Sequence, residues 1–107
     1  MEKLNKDFLP EETKLLEDIV KELGPLYPGS NIQIKQHDER RDDDPWAGIS
    51  LEMGTKKLVF IDKSVGRYDI SLKIGSDADA QAAGIIARHF SEYFKKNDTA
   101  KKLTGYD

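Results

Sequence analysis

Three short segments of this chain alternate apolar and polar residues, a fourth contains a run of four apolar residues, and all four lie between two segments with the periodicity of a helix. The clearest alternation runs over residues 67–74, where every second residue from Tyr68 to Ile74 is apolar. A period of two is typical of a strand with one buried face, whereas apolar residues three or four positions apart indicate a helix. The order of elements is therefore helix, four strands, helix.

Two helices are predicted from the spacing of apolar residues. The first spans residues 10–23 and ends at Gly24, because glycine can take a left-handed conformation there and the following Pro25 cannot continue the helix. The second begins at Ser76, in a sequence that resembles a capping box, and carries one apolar stripe. Residues 95–107 are polar, and we expect a frayed tail.

The strands follow one another with short connections. They are predicted over residues 31–37, 48–53, 56–62 and 67–74. Short connections favour an antiparallel meander, and because each strand has a single apolar face, both helices should cover that same face. We therefore expect one α+β domain over residues 1–107, a two-layer sandwich whose other sheet face meets solvent.

A hairpin turn predicts the pairing of the second and third strands. The two-residue turn Gly54-Thr55 places Glu52 opposite Lys57 and Leu51 opposite Leu58. In this register the apolar residues fall on one side of the sheet and an ion pair falls on the other, which agrees with a single buried face.

The same register predicts an apolar spot on the solvent face. Val59 and Ile61 point outward, and Trp46, the only tryptophan, lies toward Ile61 at the start of the preceding strand. An apolar patch rimmed with charge is typical of protein-binding surfaces. A purely structural interpretation is also open, because β-branched residues favour strands and a tryptophan can cover the edge of a core.

A run of charge would lie at the rim of this spot. Residues 38–44 hold five acids and two arginines, a local charge of −3 that equals the net charge of the whole chain. The arginines offer bidentate hydrogen bonds, and the aspartates would steer a basic partner. The predicted partner-binding residues are Arg40, Arg41, Asp42, Asp43, Asp44, Trp46, Val59 and Ile61.

The charged run also supports a second interpretation, a metal-dependent enzyme in which Asp42, Asp43 and Asp44 act with His37, since hard cations prefer carboxylate oxygens. Against this, consecutive carboxylates seldom converge on one ion, and the adjacent arginines compete for them. The sequence contains no nucleophile elbow, phosphate-binding glycine loop or His-Glu-x-x-His motif. We predict no catalytic residue, no metal site and no cofactor.

Composition narrows the remaining classes of function. A net charge of −3 argues against nucleic acid as a partner, because phosphate contacts need a basic surface. No apolar stretch approaches the roughly 20 residues of a membrane span, and residues 1–7 lack the apolar segment of a secretory signal. There is no cysteine, which excludes disulfides and thiolate metal sites.

The expectation that follows is a small, non-enzymatic, cytoplasmic domain that binds another protein. Its size and architecture are comparable with those of small regulators, inhibitors and immunity-type proteins. A self-associating protein, in which two outer sheet faces meet in a symmetric homodimer, is a third alternative.

Overall fold

The computed structural model describes residues 9–39, 46–64 and 70–96, apart from the side chains of Asp38, Glu39, Trp46 and Ser64. The four strands form one antiparallel sheet in the order β1-β2-β3-β4, and the helices contact each other and the sheet. The predicted α+β architecture is therefore confirmed. The elements in chain order are α1 (Pro10–Leu23), a 3₁₀ turn (Gly24–Leu26), β1 (Ile32–Glu39), β2 (Trp46–Met53), β3 (Lys56–Ser64), β4 (Ile70–Ile74) and α2 (Ala80–Lys96).

One hydrophobic core lies between the helices and the sheet. The stripe of α1 contributes Leu16, Ile19 and Leu23, and that of α2 contributes Ile86 and Phe90, all of them buried. Burying one such side chain stabilises the fold by about 1.5–3 kcal/mol. Because both stripes join a single core with the apolar residues of the strands, the helices and the sheet form two layers.

The helix α1 has the predicted bounds, but the conformation of Gly24 after it and the start of α2 differ from the prediction. Gly24 has φ −50° and ψ −50°, a right-handed conformation from which the chain continues into the 3₁₀ turn. The second helix begins at Ala80 and not at Ser76. Its N-cap is Asp79, whose carboxylate accepts a hydrogen bond of 2.8 Å from the backbone N–H of Ala82.

The hairpin between β2 and β3 keeps the predicted register only next to its turn. Glu52 pairs with Lys57 as predicted, but Leu51 pairs with Val59 and not with Leu58. Leu58 is therefore an extra residue in β3, a β-bulge. Because side chains alternate along a strand, one extra residue reverses the face of every later position relative to the prediction.

The prediction that Val59 and Ile61 point to solvent is wrong. Both side chains are fully buried and belong to the core, together with Leu58. Phe60, which lies two residues after Leu58 and would share its face in a strand without a bulge, is only half-buried and does not pack against the core cluster. Because of the bulge, the apolar residue on the solvent-facing side of β3 is Phe60 and not Val59 or Ile61.

The segment between β4 and α2 holds this bulge. The carbonyl of Leu58 accepts a hydrogen bond of 2.8 Å from the N–H of Gly75, and the carboxylate of Asp77 accepts one of 3.0 Å from the N–H of Lys57. A bulge leaves backbone groups of its strand outside the regular ladder, and these two bonds satisfy them. A side chain would not fit at Gly75, where a Cβ would lie 2.1 Å from the carbonyl oxygen of Lys57.

Candidate functional site: the outer face of the sheet

The sheet face turned away from the helices, here called the outer face, is lined by two central rows of residues. Residues paired across the strands share a face, and the face alternates along each strand. The first row consists of Lys35, Ser50, Phe60 and Lys73, and the second of His37, Gly48, Asp62 and Ser71.

Phe60 is the large apolar side chain of these two rows. It lies on the inner strand β3, between Ser50 on β2 and Lys73 on β4. Its side chain is partly covered by protein and partly accessible to solvent. An aromatic ring in such a position offers apolar contact area at low cost in conformational entropy.

A chain of polar contacts crosses β1 and β2 beside Phe60. Nε2 of His37 lies 3.1 Å from Oγ of Ser50, and that hydroxyl donates a hydrogen bond of 3.4 Å to Oε2 of Glu52. Nζ of Lys35 lies 3.4 Å from the other carboxylate oxygen of Glu52. Ser50 is 3% exposed, whereas His37 is exposed. These contacts hold four side chains of the outer face in one arrangement.

This polar chain does not have the geometry of a serine nucleophile. In a Ser-His-acid triad, the imidazole accepts the hydroxyl proton and the acid orients the imidazole. Here the hydroxyl of Ser50 donates to the carboxylate of Glu52, so the acid contacts the serine rather than the imidazole of His37. The hydroxyl is also buried. The contacts therefore position side chains rather than activate one.

Glycine at position 48 leaves room for a neighbouring carboxylate. A Cβ at Gly48 would lie 2.7 Å from Oδ1 of Asp62 and 3.3 Å from the carbonyl oxygen of Ile61. The side chain of Asp62 therefore lies close over the backbone of β2. This arrangement places a negative charge one row away from Phe60.

The residues predicted to bind a partner fall into three groups. Val59 and Ile61 belong to the core. Trp46 begins β2, where its backbone pairs with those of Glu39 and Ser64. The other predicted residues lie outside the described part of the chain, and they are Arg40, Arg41, Asp42, Asp43 and Asp44.

The metal-site alternative involved His37 together with the aspartates of the charged run. His37 contacts Ser50 on the outer face. Within residues 9–39, 46–64 and 70–96, no three His, Cys, Asp or Glu side chains lie close enough together to hold a metal ion. The aspartates at 42–44 are outside these ranges.

A cleft of about 310 Å³ lies on the other side of the molecule, between α1 and α2. One of its lining residues, Tyr93, donates a hydrogen bond of 2.5 Å to the carboxylate of Glu12, and both side chains are buried. Burial of the hydroxyl, followed by this bond, raises the pKa of Tyr93 well above its usual range. The contact fastens one helix to the other.

Glu22 makes a second connection between the helices. Its carboxylate accepts a hydrogen bond from the guanidinium of Arg88 and lies 3.2 Å from Nε2 of His89. The bond from Arg88 is the main reason why the pKa of Glu22 is lowered. Glu22 of α1 therefore pairs with two residues of α2.

Comparison of the chain with models of protein families, with curated proteins and with solved structures found no match. No helix in the described residues is long and apolar enough to cross a membrane.

Proposed function

We propose that this protein is a non-enzymatic binding domain that contacts another protein through the outer face of its sheet. The observation that carries this proposal is the position of Phe60, a half-buried aromatic ring that lies among polar and charged side chains and outside the core. Aromatic residues surrounded by a polar rim supply much of the binding energy in protein interfaces.

The charges near Phe60 suit a specific contact. Lys35 and Lys73 lie in its row, and His37 and Asp62 lie in the next row. Charges of both signs around an apolar centre fix the orientation of a partner and exclude wrong partners, more than they add to affinity. The surface therefore favours a partner that offers an apolar side chain with acidic and basic groups beside it.

The charged run between β1 and β2 extends this surface in the proposal. His37 and Gly48 lie at the end of the outer face from which residues 40–45 connect the two strands. Trp46 lies two residues before Gly48 along β2, next to this connection. Trp46, the two arginines and the three aspartates would then contact the same partner as Phe60.

The outer face is preorganised for binding. The bulge that turns Phe60 outward is held by backbone hydrogen bonds to Gly75 and Asp77, and the polar chain beside it connects Lys35 to His37 through two further residues. Side chains that are already ordered lose less entropy when a partner binds. A rigid surface of this kind can be selective although it is small.

Phe60→Thr tests the proposal, because threonine keeps the preference for a strand and removes the aromatic ring. Wild type and variant are immobilised, and proteins recovered from cells of the source organism are quantified by mass spectrometry. We expect recovery of the specific partner to fall at least about tenfold, the size of a typical hot-spot effect. The control is Lys21→Ala, an exposed side chain on α1, and it should leave recovery unchanged.

The fold of each variant is checked by circular dichroism before recovery is compared. Equal recovery by folded Phe60→Thr and wild type would contradict the proposal, as would loss of recovery by Lys21→Ala. Backbone amide shifts of the labelled protein on adding the recovered partner give a second readout. They should concentrate on β1 to β3 and not on the helices.

A further inference from the structure

The two edges of the sheet differ in how well they are protected. β1 and β4 are the outermost strands, and β4 pairs with β3 along one side only. The middle of β1 carries Lys35, Gln36 and His37, polar residues of the kind that hinders pairing with another chain. β4 reads Ile-Ser-Leu-Lys-Ile and has one charged residue, Lys73. Its free side meets no other strand within the described residues.

An open cleft adjoins the edge of β4 on the helix side. It measures about 370 Å³ and is lined by the end of β4, the following loop and three small residues of α2, namely Ala83, Gly84 and Ala87. A Cβ added at Gly84 would meet no atom within 4 Å. A strand added to β4 would direct every second side chain toward the helix side, where this cleft leaves room.

We propose that β4 pairs with β4 of a second copy of this chain, antiparallel about a two-fold axis at Leu72, so that two sheets join into one. Such an axis pairs residue 70 with 74 and residue 71 with 73, so each residue meets one of the same face. An axis between two residues would pair a buried position with an outward one, and the faces would not match.

The sequence of β4 is self-complementary in this register. On the helix side the buried residues Ile70, Leu72 and Ile74 of one copy meet the same three residues of the other. On the outer side each Lys73 lies opposite a Ser71, so that no lysine directly opposes a lysine. This agreement between apolar content, charge and face is the reason to choose a second copy as the occupant of the edge.

The dimer should be weak. A strand of five residues spans about 17 Å, and its pairing alone buries less than the about 800 Å² per partner that is usual for a stable complex. Contact across the cleft near Gly84 adds area without reaching that of an obligate dimer. We therefore expect association to depend on concentration, with monomer predominating in dilute solution.

Substitutions at Ser71 separate dimer formation from folding. Within one chain, Ser71 lies opposite Asp62 of β3, whereas in the dimer it lies opposite Lys73 of the second copy. Ser71→Lys places a favourable charge beside Asp62 and a repulsive one across the axis, and Ser71→Glu does the reverse. We expect the dissociation constant from sedimentation equilibrium to rise about tenfold for Ser71→Lys and to fall about tenfold for Ser71→Glu. The denaturation midpoint of the monomer should rise for Ser71→Lys and fall for Ser71→Glu, because Asp62 attracts the first side chain and repels the second.

Single cysteines test the register, because the chain has no cysteine of its own. Ser71→Cys and Lys73→Cys are oxidised separately and as a mixture. Only the mixture brings cysteines directly opposite each other across the axis, within reach of a disulfide. We expect a linked dimer from the mixture and little from either protein alone.

Equal linking in all three samples would overturn the register, and purely monomeric wild type and Ser71→Glu at millimolar concentration would overturn the dimer. Neither result bears on Phe60.

Discussion

The two faces of β3 share one backbone and differ in almost every other respect. On the helix side, Val59 and Ile61 are fully buried in a core that continues across the sheet. On the outer side, Phe60 lies between a serine and a lysine. One extra residue, Leu58, decides this division. Whether a residue faces the core or the solvent can therefore depend on the backbone more than on the residue's own apolar character.

Gly75→Ala should cause the largest loss of stability. The new Cβ would lie 2.1 Å from the carbonyl oxygen of Lys57, and backbone atoms there cannot move away without breaking the bond that holds the bulge. We expect a loss of about 4 kcal/mol or more in the free energy of unfolding, measured with urea. Gly84→Ala is the matched control and should stabilise the protein by about 0.5–1 kcal/mol, since it meets no atom and favours the helix. Similar midpoints for the two variants would contradict the role of Gly75.

Truncating one side chain on each face of β3 tests directly whether the two faces contribute differently to stability. Ile61→Ala removes fully buried apolar volume and should cost about 2–5 kcal/mol of unfolding free energy. Phe60→Ala removes a larger side chain, yet we expect a loss of about 1 kcal/mol, because that ring does not pack against the core cluster. Urea denaturation of both variants measures the order. The reverse order would show that β3 follows the register without a bulge.

Tyr93→Phe measures how much a buried polar contact contributes to stability. It leaves the buried carboxylate of Glu12 without its phenolic donor, at a cost of about 1–3 kcal/mol at neutral pH. Since the pKa of Tyr93 is raised in the folded state, its contribution is present below the usual tyrosine pKa of about 10 and is lost as pH rises above it. The variant should therefore lose less stability than wild type between neutral and strongly alkaline pH.

Tyr27→Phe is the control for that experiment. The hydroxyl of Tyr27 also donates to a carboxylate, at 2.7 Å from Oδ1 of Asp79, but this contact is exposed. Contacts of exposed groups are worth little, because water replaces them. Equal losses for Tyr27→Phe and Tyr93→Phe would show that burial does not distinguish the two contacts.

Asp79→Ala removes the exposed contact of Tyr27 together with the N-cap bond to Ala82, and it should have a small effect compared with the variants at buried positions. The N–H of Ala82 and then the hydroxyl of Tyr27 lower the pKa of Asp79, so its contribution is present above its usual pKa and is lost as pH falls through the acid range. We expect the thermal midpoint to fall by a few degrees at neutral pH and the difference from wild type to vanish in acid. Scanning calorimetry at the two pH values measures this. A difference that persists in acid would point to a cause other than the carboxylate.

Much of the fold follows from local patterns. The bounds of α1 agree with the prediction, and four strands occur in the predicted order because each is a short segment with apolar residues for one core. The start of α2 was predicted too early, since Ser76 and Asp79 are both residues that can cap a helix and the spacing did not discriminate between them. Asp77, between them, instead accepts a hydrogen bond from β3.

The candidate site was predictable only in outline. A solvent-facing side of the sheet follows from alternation, and the polar residues of β1 lie there as their pattern indicates. Residues 58–61 are all apolar, so alternation carries no information on which of them faces the core. The register was inferred from the turn alone, and a turn determines pairing only until the ladder is interrupted.

The number, type and order of the elements and the existence of one apolar face can be read from the amino-acid sequence, because they depend on patterns within short segments. That Phe60, and not Val59 or Ile61, lies on the outer face follows from contacts in the folded protein and not from the local sequence. This placement depends on two hydrogen bonds, one donated by the backbone N–H of Gly75 to β3 and one accepted from β3 by the carboxylate of Asp77, which form only after the chain has formed β4 and turned back. A bulge is stabilised by partners that are distant in sequence, so local sequence patterns do not predict it.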